Sequence, residues 1–130
     1  MLIYAHTAII MVIAMPECKR FVNLTPHDVI IYDLEGENEI ARIPRSGKVA
    51  RVSTREEYIG EILGIPIVRI AYGEVENLPE PDGETCYIVS MLVKQASDRE
   101  DLLAPNTSPG KYGAVRDEQG RIVGVKSLIW

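Results

Sequence analysis

"TCYIVS", residues 85–90, runs apolar without a break and shows no alternation of polar and apolar positions. Such a run fits a strand covered on both faces, so the rest of the chain must supply a layer on each side of it. The period changes at once in "MLVKQAS" (91–97), where Leu92, Val93 and Ala96 fall at helical spacing and predict a short helix directly after the strand. A buried strand running into a short helix, inside a chain otherwise rich in short apolar runs, points to an α+β fold dominated by strands.

Upstream, "IPIVRIAYG" (65–73) is rich in β-branched residues and is the strongest further strand. "EVENLPEPDGE" (74–84), with two prolines, a D-G pair and four glutamates, reads as a loop. In "TREEYIGEILG" (54–64), Thr54 followed three positions later by Glu57 has the pattern of a capping box and predicts a helix start, although Gly60 and Gly64 weaken it. "RSGKVARVS" (45–53) offers a glycine-centred turn and a strand with Val49 and Val52 facing the core. "RFVNLT" (20–25) and "DVIIYDL" (28–34) are strands flanking Pro26 and His27, and the second forms a hairpin with "EIARIP" (39–44) across the acidic turn "EGEN".

Downstream, "DREDLLAPNTSPGKYG" (98–113) reads as a long polar loop, a class often tied to function. "AVRDEQGRIVGVKSLIW" (114–130) reads as a hairpin closed around Glu118–Gly120, its second strand carrying Ile122, Val123, Val125 and Leu128. The chain therefore divides into an apolar extension or edge strand at residues 1–19 and a single compact domain at 20–130. The expected architecture is a mixed or antiparallel sheet with one or two short helices.

The 130 residues suffice for one core without staples. The net charge of −5 is spread evenly: residues 1–65 hold seven Lys/Arg against nine Asp/Glu, and residues 66–130 hold seven against ten. Neither half has the basic surface needed by a nucleic-acid polymer or an anionic membrane. Cys18 and Cys86 have no metal-ligand spacing and no disulfide framework, which favours a reducing, cytoplasmic setting. "MLIYAHTAIIMVIAM" (1–15) is apolar but lacks a basic leader and is short for a bilayer span, so a strand or an adventitious extension, with Met15 as the alternative start, is preferred over a signal or anchor.

No G-x-G-x-x-G, Walker lysine loop, H-E-x-x-H or C-x-x-C occurs, so no cofactor and no metal are expected. Asn23, Thr25, His27 and Asp28 cluster around Pro26 and supply amide, hydroxyl, imidazole and carboxylate within six residues. Imidazole titrates near neutrality and suits a general base or a ligand contact, but Asn, Thr and Asp are also ordinary turn formers that bond nearby backbone. A second cluster starts at Ser90, at the end of the buried strand, and continues with Asp98, Arg99, Asp101 and Asn106. Arg99 has the fork that grips phosphate or carboxylate, and Asp101 has the acceptors for ribose or base; the same pair equally suits a loop brace. Ser90 lacks a nucleophile-elbow context. Arg116 is a candidate anion contact on a hairpin tip where charges are usually solvated. Tyr58, Tyr72, Tyr87 and Tyr112 suit base stacking or ordinary cross-strand packing.

Taken in order, "NLTPHDVIIYD", "IPRSGKVARV", "IPIVRIAYGEVENLPEP", "CYIVSMLV", "DREDLLAPNT" and "AVRDEQGRIVGVKSL" resemble small uncharacterised phage and prokaryotic proteins. These share an N-L-T-P-H opening and a V-R-D-x-x-G-R-I-x-G closing motif. The resemblance covers residues 21–128, implies a phage or host-defence setting and carries no activity across. It picks out the two polar clusters together, and the expectation is that they converge on one sheet edge to bind a small anionic or nucleotide-like ligand. The alternatives are a small hydrolase or transferase using His27 as general base with Arg99 stabilising an anion, and an assembly protein forming homo-oligomers.

Overall fold

The computed structural model describes residues 2–5, 8–11 and 14–130, and the side chains from residue 14 onward. The apolar start forms two strands, β1 (Leu2–Ala5) and β2 (Ala8–Met11), which pair antiparallel with each other. Expectations about whether its side chains are covered lie outside the described residues.

The buried run at 85–90 is the centre of the fold. β8 (Thr85–Ile88) is buried at all four positions and pairs in parallel with β3 (Arg20–Asn23) on one side and β9 (Leu102–Pro105) on the other. β12 (Leu128–Ile129) adds antiparallel to β9, giving the order β12-β9-β8-β3. A second sheet has the order β10-β11-β4-β5, from β10 (Ala114–Arg116), β11 (Ile122–Val125), β4 (Val29–Tyr32) and β5 (Glu39–Ile43). Both hairpins expected from the sequence, β4–β5 and β10–β11, are present, and β11 joins β4 in parallel through Val125 and Ile31.

Alternate residues of β8 serve different cores, as a two-sided strand requires. Tyr87, with Val89 just beyond the strand, packs with Leu24, Ala50, Val93 and Leu102. Ile88 packs with Val29 and Val125, against Ile31, Ile43 and Leu128. The helix α1 (Met91–Gln95) follows as the sequence predicts; the Ser90 side chain caps it by accepting the backbone N–H of Val93 at 3.2 Å, and Val93 seals the first core. It is the one helix among the described residues and has five residues, so the molecule is strand-dominated and nearer to all-β than to the α+β class expected.

Three local expectations are overturned. Thr54 and Glu57 do not open a helix: they lie in β6 (Arg51–Ile62), which pairs with β7 (Ile65–Glu76) in a long antiparallel hairpin. The strong strand preference of 65–72 imposes its partner's conformation, and Leu63 (φ 52°) with Gly64 (φ 78°) supplies the two-residue turn that joins them. Glu57 bonds Arg55 at 3.1 Å and Arg69 across the hairpin at 3.0 Å instead of capping anything. The segment 98–113 is not a continuous loop: Leu102 and Ala104 are fully buried in β9, an apolar run too short to stand out between polar neighbours. Finally, Cys18 and Cys86 form a disulfide, with Cα atoms 5.6 Å apart, although 68 positions separate them in sequence. Cys86 lies in β8 and Cys18 just ahead of β3, so the parallel pairing of those strands brings the thiols together.

Candidate functional site

Because β3, β8 and β9 run in parallel, their ends form two distinct edges of one sheet. The chain leaves the carboxyl ends at Asn23, Ile88 and Pro105 and passes directly into the segments 24–28, 89–91 and 106–107. Ligands of sheets with parallel strands commonly occupy this end, where diverging connections leave a crevice.

Asn23 organises the first of these exits. It is completely buried, and its amide Nδ2 donates to the carbonyls of His27 (2.8 Å) and Ile43 (3.0 Å). Its Oδ1 accepts the backbone N–H of Thr25 at 2.9 Å and the Thr25 hydroxyl at 2.7 Å. All hydrogen-bonding positions of the amide are thereby engaged, which makes Asn23 the internal scaffold of the turn. The Thr25 hydroxyl also lies 2.9 Å from the His27 carbonyl, so both side chains fold the backbone around Pro26. Asp28 accepts the backbone N–H of Arg45 at 3.0 Å, and the guanidinium groups of Arg45 and Arg42 approach it at 3.9 and 4.0 Å. Every polar neighbour of His27 in the motif therefore has an internal partner. The His27 side chain is exposed and has no hydrogen bond or ion pair among the described residues.

His27 lines a cleft of about 440 Å³ together with Thr25, Asp28, Ser90 and Thr107 as polar groups. The apolar lining comes from Val29 and Ile30 of β4, Met91 of α1 and Ile122, Val123 and Val125 of β11. The cleft thus lies where all three carboxyl-terminal exits meet the second sheet. Gly124, also in its wall, permits the close approach of β11 to β4 within the second sheet: a Cβ there would stand 2.5 Å from the ring of Tyr32 and 2.7 Å from the Ile30 carbonyl. A neighbouring cleft of about 470 Å³ lies beyond Ser90 and is bounded by Pro26, residues 49–53, Glu76, Leu92 and Val93. Ser90 borders both cavities, and the proline turn separates them.

The remaining candidates lie elsewhere. Arg99 and Asp101 precede β9 and so stand at the opposite, amino-terminal end of the parallel strands. The Arg99 guanidinium grips Asp101 through Nε (2.9 Å) and Nη2 (2.6 Å), donates through Nη1 to the Pro79 carbonyl (2.6 Å), and sits 5.7 Å from the ring centre of Tyr87. The carboxylate holds this guanidinium in its charged form and pushes its pKa up. Arg99 is a brace between the 77–84 loop, β8 and β9, and it does not line the His27 cleft. The expected convergence of His27 with Arg99 is therefore corrected: the parallel order of the strands sends the two segments to opposite ends. Asn106 is close to the cleft, but its side chain binds Ser127 Oγ (3.1 Å) and the Ser108 backbone (3.1 Å). Arg116 donates to the Gly120 carbonyl at 2.6 Å and closes the β10–β11 hairpin.

No family model, curated protein or solved structure matches this chain. The functional reading therefore rests on the cleft itself. Among the described residues, no group of three or more His, Cys, Asp or Glu side chains could hold a metal ion. Among the described residues, no hydrogen bond joins His27 to Ser90 or Asp28. Thr107, Met91, Ile30 and Val123 are not among the ligand contacts expected from the sequence. Only Thr107 carried a signal there, as a polar residue next to Asn106; the apolar wall comes from positions that read as ordinary strand core.

Proposed function

We propose that the chain is a small-molecule-binding protein whose ligand occupies the His27 cleft, and that the ligand is nucleotide-like in having an apolar planar part and a polar edge. The observation that carries this reading is the imidazole of His27, which has no partner among the described residues and is held by a fully bonded Asn23–Thr25 scaffold in the lining of a largely apolar cleft. A volume of about 440 Å³ falls in the range of small-molecule sites, and an apolar lining with a few directed polar groups is their usual composition. Ile30, Met91, Val123 and Val125 offer a surface for the planar part, while His27, Ser90 and Thr107 offer contacts for its edge. An anionic group would meet the ring N–H of His27 in the lining, because Arg99 and Arg116 are engaged elsewhere. The resemblance to phage and prokaryotic proteins gives the proposal its setting, in a phage or its host.

The test is an NMR titration of the intact protein with adenosine, AMP, uridine and UMP, read at the backbone amides of Ser90, Thr107 and Val123. Shifts confined to those amides, lost in His27→Ala while the melting temperature stays unchanged, are the expected result. Saturation by any of these probes that perturbs only residues around Arg99 would place the site at the other end of the sheet and overturn the assignment. A search for small molecules copurifying with the protein widens the panel.

No helix among the described residues is long and apolar enough to cross a membrane. A cytoplasmic location, as part of the same proposal, requires Cys18 and Cys86 to be thiols there, since reducing compartments rarely maintain disulfides. Trapping free thiols in cells with an alkylating reagent decides it: a protein recovered fully oxidised refutes the cytoplasmic assignment.

A further inference from the structure

The β6–β7 hairpin forms a two-stranded sheet of its own, anchored at its base where Val52 and Val75 pack on the first core. Beyond that base it is an arm with two open edges. The edges differ. β6 is interrupted at Val52/Thr54 and at Tyr58/Gly60, and such bulges twist an edge away from pairing. β7 is regular from Ile65 to Tyr72, each residue having a partner in β6, and no other strand among the described residues covers its outer edge.

Directly paired residues share a face, so Tyr58 with Val68, Glu56 with Ile70 and Thr54 with Tyr72 lie on one side of the arm. Tyr58, Val68, Ile70 and Tyr72 are 63, 46, 48 and 45% exposed and make a continuous apolar row. The charges of Arg55, Glu57 and Arg69 lie on the other side, where they bond one another. At the tip, Leu63 is 96% exposed in the left-handed turn position that Asn or Gly usually occupies, next to Ile62 and Ile65. A soluble protein that leaves a regular edge and an apolar tip uncovered risks pairing with another chain.

We propose that the outer edge of β7 is a self-association surface, on which a second copy of this chain pairs its own β7 antiparallel about a two-fold axis at Ile70. Two-fold symmetry requires some residue to face its own copy, and Ile70 is the centre that sets the exposed row Val68, Ile70 and Tyr72 against itself. Centring on Arg69 would oppose two guanidinium groups, centring on Val68 would set Tyr72 opposite Gly64 at the tip, and centring on Ala71 would set Val68 opposite Glu74, while centring on Tyr72 would set Ile70 opposite Glu74. Centring on Ile70 sets Ile70 against its equivalent, Val68 against the partner's Tyr72 and Arg69 against the partner's Ala71, with no like charges face to face. The two apolar rows then merge across a four-stranded sheet, and each tip is carried toward the base of the partner's arm, where that subunit can cover Leu63.

The test is sedimentation equilibrium of the full chain from micromolar to millimolar concentration, with a register trap. The expected result is a monomer–dimer equilibrium that Ile70→Lys weakens more than about tenfold, because like charges would face each other at the axis. The melting temperature of that variant should be unchanged, since position 70 is exposed in the single chain. Under mild oxidation Ile70→Cys should give a covalent dimer, whereas Arg69→Cys and Ala71→Cys, whose equivalents stand diagonally, should not. A chain that stays monomeric throughout, a dimer indifferent to Ile70→Lys, or equal trapping at positions 69, 70 and 71 would each overturn the proposal.

Discussion

The two ends of the parallel strands β3, β8 and β9 use similar residues to opposite effect. At the amino-terminal end the polar groups are bonded to one another. Arg99 is gripped by Asp101, Arg20 meets Asp82 at 3.0 Å, Asp82 also accepts the backbone N–H groups of Glu84 and Thr85 at 2.8 and 2.7 Å, and the Cys18–Cys86 disulfide lies at the same end. At the carboxyl-terminal end an equally dense network, around Asn23, fastens backbone and the Thr25 hydroxyl and leaves His27 facing a cleft. Bonded charges join distant segments, whereas a bonded amide beneath an unbonded imidazole presents that imidazole to something else.

This contrast can be broken from either end. Reducing the disulfide, or replacing Cys18 by Ser, releases a closure spanning 68 positions, and the chain-entropy estimate puts the loss at about 4 kcal/mol. Urea denaturation with and without reductant measures it, and the folded protein should keep its cleft. Asn23→Ala removes the scaffold under His27 and leaves buried partners unsatisfied, for an expected loss of about 3 kcal/mol together with any cleft ligand. Loss of stability with retained binding would detach the scaffold from the site.

Arg99→Met sharpens the contrast. The Arg99 and Asp101 side chains are 23 and 18% exposed, so solvent screens the pair, and about 1–2 kcal/mol is expected from the lost contacts. Probe shifts at Ser90 and Thr107 should persist in that variant, because the brace stands at the other end.

The smallest expected effect is on pH dependence. The backbone N–H of Glu84, then the Thr85 hydroxyl and backbone, hold the Asp82 carboxyl well below the usual carboxylate range. A carboxylate with a depressed folded pKa contributes stability above its unfolded value, and the contribution disappears as pH falls through the folded value. The urea midpoint should therefore decline in acid below about pH 4, the ordinary range of an unfolded Asp, and Asp82→Asn should flatten that decline. Equal slopes for the two proteins would remove Asp82 from the account.

Much of this fold is legible in local pattern. The continuous apolar character of 85–90 announces a two-sided central strand, Leu92, Val93 and Ala96 announce the helix after it, and two hairpins follow from turn residues between apolar runs. The failures have local causes as well. The Thr54–Glu57 spacing suits a helix cap, yet a cap contributes about 1 kcal/mol, less than a strand-long set of cross-strand pairs. Leu102–Pro105 is too short to declare itself, and its burial comes from neighbours on either side.

The candidate site divides along the same line. Residue chemistry alone marked His27 and Ser90, because imidazole and hydroxyl beside a proline turn and at a strand end are suited to ligand contact. Arg99 was equally well marked and lies at the wrong end, since side-chain type carries no information about strand direction. The sequence by itself determined most of the strands, though not β6 or β9, where most of them turn and which polar groups are concentrated. Tertiary structure alone decided that β3, β8 and β9 run in parallel, and with that which polar groups share an edge, which cysteines meet and which walls close the cleft. The physical reason is that turns and periodicity arise within a few residues, whereas parallel pairing joins segments separated by crossovers whose direction no local signal records.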